Sequence, residues 1–297
     1  MTPPFLLYAH RVCAPLGVIM AVWYDEVLNE NVRFGLRLKE TLFMGENEYQ
    51  TVSVVDTHEM GRALLIDDLW MTSERDEKGY HEMIVHPAMT TAPKIERVLI
   101  IGGGDGGTAR EVLRYPDVKH VDLVEIDGMV VDVSKKYLPM IGSAWDDPRL
   151  HVTIGDGIAW VKNTDLAPYD VILVDGSDPV GPAEGLFNKT FYQACMERMT
   201  EGGVFVTQSE STMLFLDTHV EMVKTIAEVF GSAHPYYRDV FLYSAGTWSW
   251  TYASKTTKPT AINDDRMKFI SEITEIYNRE IHLGIFAVPN FVRRRLA

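Results

Sequence analysis

The sequence predicts an α/β protein: a doubly wound, mainly parallel sheet preceded by a small antiparallel β unit. Three observations predict it. Residues 98–127, VLIIGGGDGGTAREVLRYPDVKHVDLVEID, hold a strand, a glycine-rich turn, a helix and a second strand ending in acid, the first half of a nucleotide-binding α/β domain. From residue 97 onward, short apolar runs alternate with helical segments. Residues 32–72 instead carry strand-like runs separated by turns alone.

In order along the chain, residues 1–19 are apolar but lack a basic lead, and His10 and Arg11 interrupt the run; this is not a secretory signal. We read 1–19 as a disordered or mis-annotated extension, with Met20 as the true start. A chain beginning at Met20 is expected to keep full activity. VRFGLRLKETLFMG, YQTVSVVDT and RALLIDDLWMT are β-branched or alternating and read as strands. A helix follows from 76 to about 89, bent or ended by His86-Pro87. Residues 20–90 thus form a β domain with a connecting helix, and 91–297 an α/β domain.

In the second unit, VLIIG is an uninterrupted apolar strand, as expected for one buried on both faces. The helix over 107–115 stops at Pro116. HVDLVEI is the second strand, 129–137 the second helix and LHVTIG the third strand. A short helix follows Asp156-Gly157, and 169–174 is the fourth strand, ending at Asp175. GSDPVGPAEGLF is a loop, 188–199 a helix, GGVFVTQSE the fifth strand and 215–230 a helix. Two β segments, 233–240 and 247–254, close the sheet.

At 297 residues the chain can bury a large core, and its 46% hydrophobic and 24% charged content is that of a globular protein. A net charge of −14 excludes a nucleic-acid backbone as main partner. No run reaches the roughly 18 apolar residues of a spanning helix, so no membrane partner is expected. Cys13 and Cys195 lack metal-type spacing and point to a reducing, cytoplasmic location. His81 and His86 are spaced i, i+5, which puts the second imidazole off the face a zinc pair needs; no metal is expected. Trp248 and Trp250 read as core. The basic end VRRRLA carries no assigned role.

Four acids stand at strand ends: Asp105, Glu125, Asp156 and Asp175. In a doubly wound sheet all carboxyl ends share one edge, so the four converge on one crevice. Gly102, Gly104 and Gly107 satisfy G-x-G-x-x-G, and Glu125 suits two ribose hydroxyls. Asp105 decides between ligands. A pyrophosphate 4 Å away would cost about 1 kcal/mol in water and about 4 at an effective dielectric of 20. A sulfonium nucleoside with an amine-bearing tail would gain instead. Asp156-Gly157 suits an adenine amino group, while Asp156 also reads as a helix N-cap. Asp175, at the end of an apolar strand, is expected to have a raised pKa. Asp178, three residues on, either joins it in holding and deprotonating an amine or caps a turn.

With GGGDGG, VEID, GDG, VDGSDPVGPAEGLF and FYQACM, and with EYQ and TSERDEKGYHEM upstream, the chain resembles the spermidine synthases, which are polyamine aminopropyltransferases. The likeness runs from Trp23 to the C-terminal FAVPNFV. It implies a small N-terminal antiparallel β domain and a Rossmann-like, methyltransferase-type domain. It implies transfer of the aminopropyl group of decarboxylated S-adenosylmethionine to putrescine, giving spermidine and methylthioadenosine. By position, Asp175 resembles the catalytic base. Gln50, Glu125, Asp156, Gly157 and Pro182 resemble nucleoside contacts. Asp105 and His81 fall where the family binds the aminopropyl chain, and Tyr80, Asp178 and Tyr243 on the acceptor side. The implied partners are a polyamine and a sulfonium nucleoside, the latter a co-substrate, with no cofactor. A homodimer or homotetramer is implied. Gly176 stands where many relatives carry Ser, Thr or Cys, and YSAGTW around Tyr243 departs from the usual TYPSG. A methyltransferase is disfavoured because Asp105 would face the carboxylate of ordinary S-adenosylmethionine. A silent binding protein is disfavoured by Tyr80, Asp175 and Asp178.

Overall fold

The computed structural model describes residues 9–10, 21–177, 185–243 and 246–297. Among them, β1 (Ala9–His10), β2 (Ala21–Asn29), β3 (Val32–Glu46), β4 (Thr51–Thr57), β5 (Gly61–Ile66) and β6 (Leu69–Ser73) form an antiparallel sheet in sequence order. Two readings of this unit are corrected. Strands precede residue 32, where the β region was expected to begin: β2 pairs with β3 from Val22↔Leu38 to Asn29↔Val32, and β1 pairs with β2 at Ala9↔Val22 and His10↔Ala21. β2 escaped notice because its exposed and half-buried positions follow no clean alternation. RALLIDDLWMT is a hairpin and not one run: Asp67 and Asp68 take φ of 48° and 67° and reverse the chain. Aspartate tolerates this left-handed region better than most residues.

Helix α1 (Glu77–Met89) then crosses to the second sheet, where it packs on the helix after the glycine turn and on the central strands. It runs through Pro87 without ending there. Proline cannot donate to the Met83 carbonyl four residues back. The Tyr236 hydroxyl donates to that carbonyl instead, at 2.8 Å, so the lost backbone bond is replaced.

The second sheet comprises β7 (Arg97–Gly102), β8 (His120–Glu125), β9 (Leu150–Ile154), β10 (Tyr169–Asp175), β11 (Met199–Gln208), β12 (His234–Asp239) and β13 (Thr247–Ala253), in the order β12-β13-β11-β10-β7-β8-β9. β7 to β11 are parallel; β12 and β13 are antiparallel additions. Helices α2 (Gly107–Leu113), α3 (Gly128–Tyr137), α4 (Gly157–Lys162), α5 (Lys189–Glu197) and α6 (Leu216–Phe230) connect them. The strands bury both faces. Val98, Ile100, Leu123 and Leu173 join one core with α1 and α2, and Leu99, Ile101, Ile172 and Val174 a second with α4 to α6. A further cluster joins Val52, Val54 and Leu64 of the first sheet to Val130 and Val133 of α3. Three C-terminal helices, α7 (Asp264–Ser271), α8 (Arg279–Ile285) and α9 (Asn290–Leu296), were not anticipated. The basic VRRRLA lies in α9, which buries Val292.

The strand order reverses between β7 and β10. Asp175 pairs there with Gly102. Ligands of doubly wound sheets bind at this point, outside the carboxyl ends of the strands.

Candidate active site

A cleft of about 940 Å³ opens at the reversal point. Gln50, Tyr80, His81, Asp105, Glu125, Asp156, Gly157, Asp175 and Tyr243 all line it. Asp178 and Pro182 lie outside the described residues. A second cavity of about 510 Å³ shares Met71, Tyr80, Gly176, Ser177 and Tyr243 with the first. It continues to Glu26, Trp70, Gln208 and Trp248. The two spaces therefore meet beside the end of β10.

Asp175 lines the first cleft, directly before the shared Gly176 and Ser177. Its Oδ1 accepts from the Tyr80 hydroxyl at 2.7 Å and its Oδ2 from the Thr108 hydroxyl at 2.6 Å. Two hydroxyls fix the carboxylate plane. Burial first, and then the charge of Asp105, push its pKa above the usual carboxylate range; His81 and the two hydroxyls oppose the shift. Asp105 moves the other way. Burial would raise it, but His81 on Oδ2 at 3.1 Å and the Gly107 N–H on Oδ1 at 2.8 Å hold it below the usual range. Neighbouring carboxyls with divergent pKa values are the signature of divided roles: one group able to take a proton, one that stays charged.

His81 is buried between two carboxylates, Asp105 at Nε2 and Glu77 at Nδ1 at 2.7 Å. Burial disfavours its charged form, yet the two acids win and raise its pKa well above the ordinary imidazole value. The ring fits because residue 107 is glycine: a Cβ there would lie 2.3 Å from the imidazole. Burial, and next the Asp175 charge, push the Tyr80 phenol well above its ordinary pKa, so it donates as a neutral hydroxyl. Its ring stands edge-on to Tyr243 at 5.6 Å. The Tyr243 hydroxyl donates to the Met71 carbonyl at 2.6 Å, so its ring forms wall between the two cavities.

On the other side, Glu125 accepts from the Gly104 and Asp127 N–H groups at 3.2 and 3.0 Å. Burial pushes its pKa up to about 7. Gln50, in the β3–β4 turn, donates to Asp127 at 2.9 Å, and Asn47 donates to the same carboxylate at 2.7 Å. These bonds tie the first sheet to the start of α3. Asp156 caps α4 by accepting from the Ile158 N–H at 2.7 Å. Gly157 packs against Ile101, where a Cβ would come within 2.4 Å.

Sequence reasoning missed Thr108, Glu77, Arg110, Glu26 and Gln208. Glu77 had a legible signal, four residues before His81 on a predicted helix. Thr108 had one too, directly after the glycine turn. Glu26 and Gln208 reach the second cavity through tertiary packing alone.

Comparison with known proteins places the chain in a family and matches its fold. The family described as spermine/spermidine synthase domain matches residues 77–264, and the spermidine synthase tetramerisation domain matches residues 22–74. A polyamine aminopropyltransferase of Prochlorococcus marinus (strain MIT 9313) is 50% identical over 278 residues, 92% of this chain and 96% of its own. A solved spermidine synthase in complex with the transition-state analogue AdoDATO superposes with a TM-score of 0.89 at 32% identity, covering 99% of this chain and 98% of that one. Spermidine synthase from Thermotoga maritima gives 0.85 at 33%, covering 92% and 94%.

Proposed function

This chain belongs to the spermine/spermidine synthase family and is a polyamine aminopropyltransferase; we propose that it transfers the aminopropyl group of decarboxylated S-adenosylmethionine to putrescine, with Asp175 as base. The observation that carries this reading is the position of Asp175. It lines the first cleft, the two residues after it line both that cleft and the aromatic-walled second cavity, and both its oxygens are aligned by hydroxyls.

The chemistry follows from charge. A sulfonium makes its neighbouring CH₂ an electrophile. An amine in the second cavity attacks that carbon in line; the C–N bond forms, the C–S bond breaks, and methylthioadenosine leaves with the electron pair. The amine must shed one proton to act as nucleophile, and Asp175 takes it. In this reading Asp105, fixed by His81, faces the donor's terminal ammonium. Glu125 accepts from ribose hydroxyls, while Gln50, Asp156 and Gly157 border the nucleoside. Tyr80 and Tyr243 wall the aliphatic chain of the diamine, and Glu26 lines the cavity that would receive its far ammonium. Pro182 and Asp178 keep the roles their resemblance implies. A solved relative, a spermidine synthase, holds the transition-state analogue AdoDATO, which supports a transfer of this kind.

No cofactor enters this sequence of bonds, so turnover is expected to survive dialysis against a chelator. We also read the protein as a cytoplasmic homodimer or homotetramer. The tetramerisation-domain match supports assembly, as do Val22, Trp23, Val27 and Met44, left exposed on β2 and β3. Among the described residues no helix is long and apolar enough to cross a membrane.

Asp175→Asn tests the assignment. Its kcat is expected to fall about 10²–10⁴-fold, the usual weight of a general base, while calorimetry still detects donor binding. Turnover like that of the unsubstituted enzyme would remove Asp175 from the role.

A further inference from the structure

Behind the cleft lies a buried chain of charges that the transfer as written does not use. Glu77, in the first turn of α1, accepts from Arg110 twice, at 2.9 and 2.7 Å. The guanidinium is itself fixed: it donates to Glu111 at 2.8 Å and to the Ile141 carbonyl at 2.9 Å. Glu77 turns one of the same oxygens to His81 Nδ1. The opposite nitrogen meets Asp105.

We propose that Glu77, clamped by Arg110, is a positioning residue for the transfer: it holds His81 as a cation against Asp105 and so keeps Asp105 and nearby Asp175 ionised together. An imidazolium carries an N–H on each nitrogen, whereas a neutral tautomer carries one. A carboxylate at both nitrogens selects the cation, and a ring only 1% exposed has no water to substitute for either. The bidentate arginine keeps Glu77 ionised and in one rotamer. The i, i+4 spacing on α1 then aims it at the ring. Two buried carboxylates that face one cleft repel each other. The cation beside Asp105 offsets that repulsion before any cationic substrate arrives.

The groups facing His81 are few. Glu77, Tyr80 and the preceding Asp76 come from α1 and its start, Asp105 from the glycine turn, Asp175 from β10, and Arg110, behind Glu77, from α2. Glu77 is the only one of them that both touches the ring and is held by a cation of its own among the described residues.

Glu77→Gln tests the proposal, with the His81 ring nitrogens followed by NMR across pH. In the unsubstituted protein His81 is expected to stay doubly protonated well above the pH at which an ordinary imidazole loses its proton. In Glu77→Gln it is expected to lose a proton at least one pH unit earlier. The proposal rests on Asp175 as base for its second readout: the acid limb of kcat moves up by about one pH unit, since the charge opposing Asp175 protonation is gone. In a His81→Gln background, Glu77→Gln is expected to move that limb no further. Identical His81 titration in both proteins would overturn the proposal. So would an unmoved limb once His81 has lost its proton, whereas the base assignment itself stands or falls with Asp175→Asn. If Glu77→Gln does not fold, Glu77→Gln/Arg110→Gln removes both charges of the pair and is read the same way.

Discussion

At the scale of single residues, the site works by giving neighbouring acids different surroundings. Asp105 is pinned by the buried His81 ring and a backbone N–H, which hold its pKa below the usual carboxylate range. Asp105→Asn is therefore expected to weaken the decarboxylated donor at least tenfold, the cost of losing one charge-assisted contact, and to leave methylthioadenosine, which has no ammonium, nearly unchanged. Calorimetry with the two ligands checks this; equal losses would contradict the anchor role. Glu125 supplies a pH dependence. Its pKa is raised to about 7, and ribose hydroxyls donate better to the carboxylate than to the acid. Binding therefore favours the ionised form. Methylthioadenosine affinity is expected to rise with pH through 7, level off above it, and fall as pH drops below it, with proton uptake or release followed in buffers of different ionisation enthalpy. Glu125→Gln should flatten that dependence. These acids were legible in the sequence because strand ends share an edge. The hydroxyls of Tyr80 and Thr108 on Asp175 were less so, since their convergence depends on how α1 and α2 pack.

At the scale of elements, the glycine turn is shaped as much by its neighbours as by a ligand. Gly102 has φ of +80°, and a Cβ there would stand 2.2 Å from the Asp175 carbonyl oxygen. Gly102→Ala is expected to cost at least about 1–3 kcal/mol from backbone strain alone. That lowers the melting temperature by several degrees, measurable by calorimetry, and moves Asp175, so kcat falls with it. The βαβ repeat, from VLIIG to VDLVE, was readable because both-face burial writes continuous apolar runs. The β2 strand was not, because one half-exposed strand leaves little periodicity. The range of α1 was readable, but not how the helix would carry Pro87 inside it. The hydroxyl that compensates Pro87 comes from Tyr236, 153 residues away, and no local pattern announces it.

At the scale of the whole molecule, the antiparallel sheet and the α/β sheet contribute opposite walls of one site. Gln50 and Met71 come from the first, Glu125 and Asp175 from the second, and the Gln50–Asp127 bond and the Val52–Val130 cluster hold the walls together. The net charge of −14 suits two cationic substrates and would oppose phosphate-bearing ones. A cleft lined by Asp105, Glu125 and Asp175, next to a cavity that Glu26 lines, is what the proposed aminopropyl transfer needs. The most direct test is product analysis of the purified protein given decarboxylated S-adenosylmethionine and a panel of diamines. Methylthioadenosine and spermidine are expected in equal amounts, with putrescine the best acceptor. S-adenosylhomocysteine from ordinary S-adenosylmethionine, or no methylthioadenosine with any amine, would contradict aminopropyl transfer.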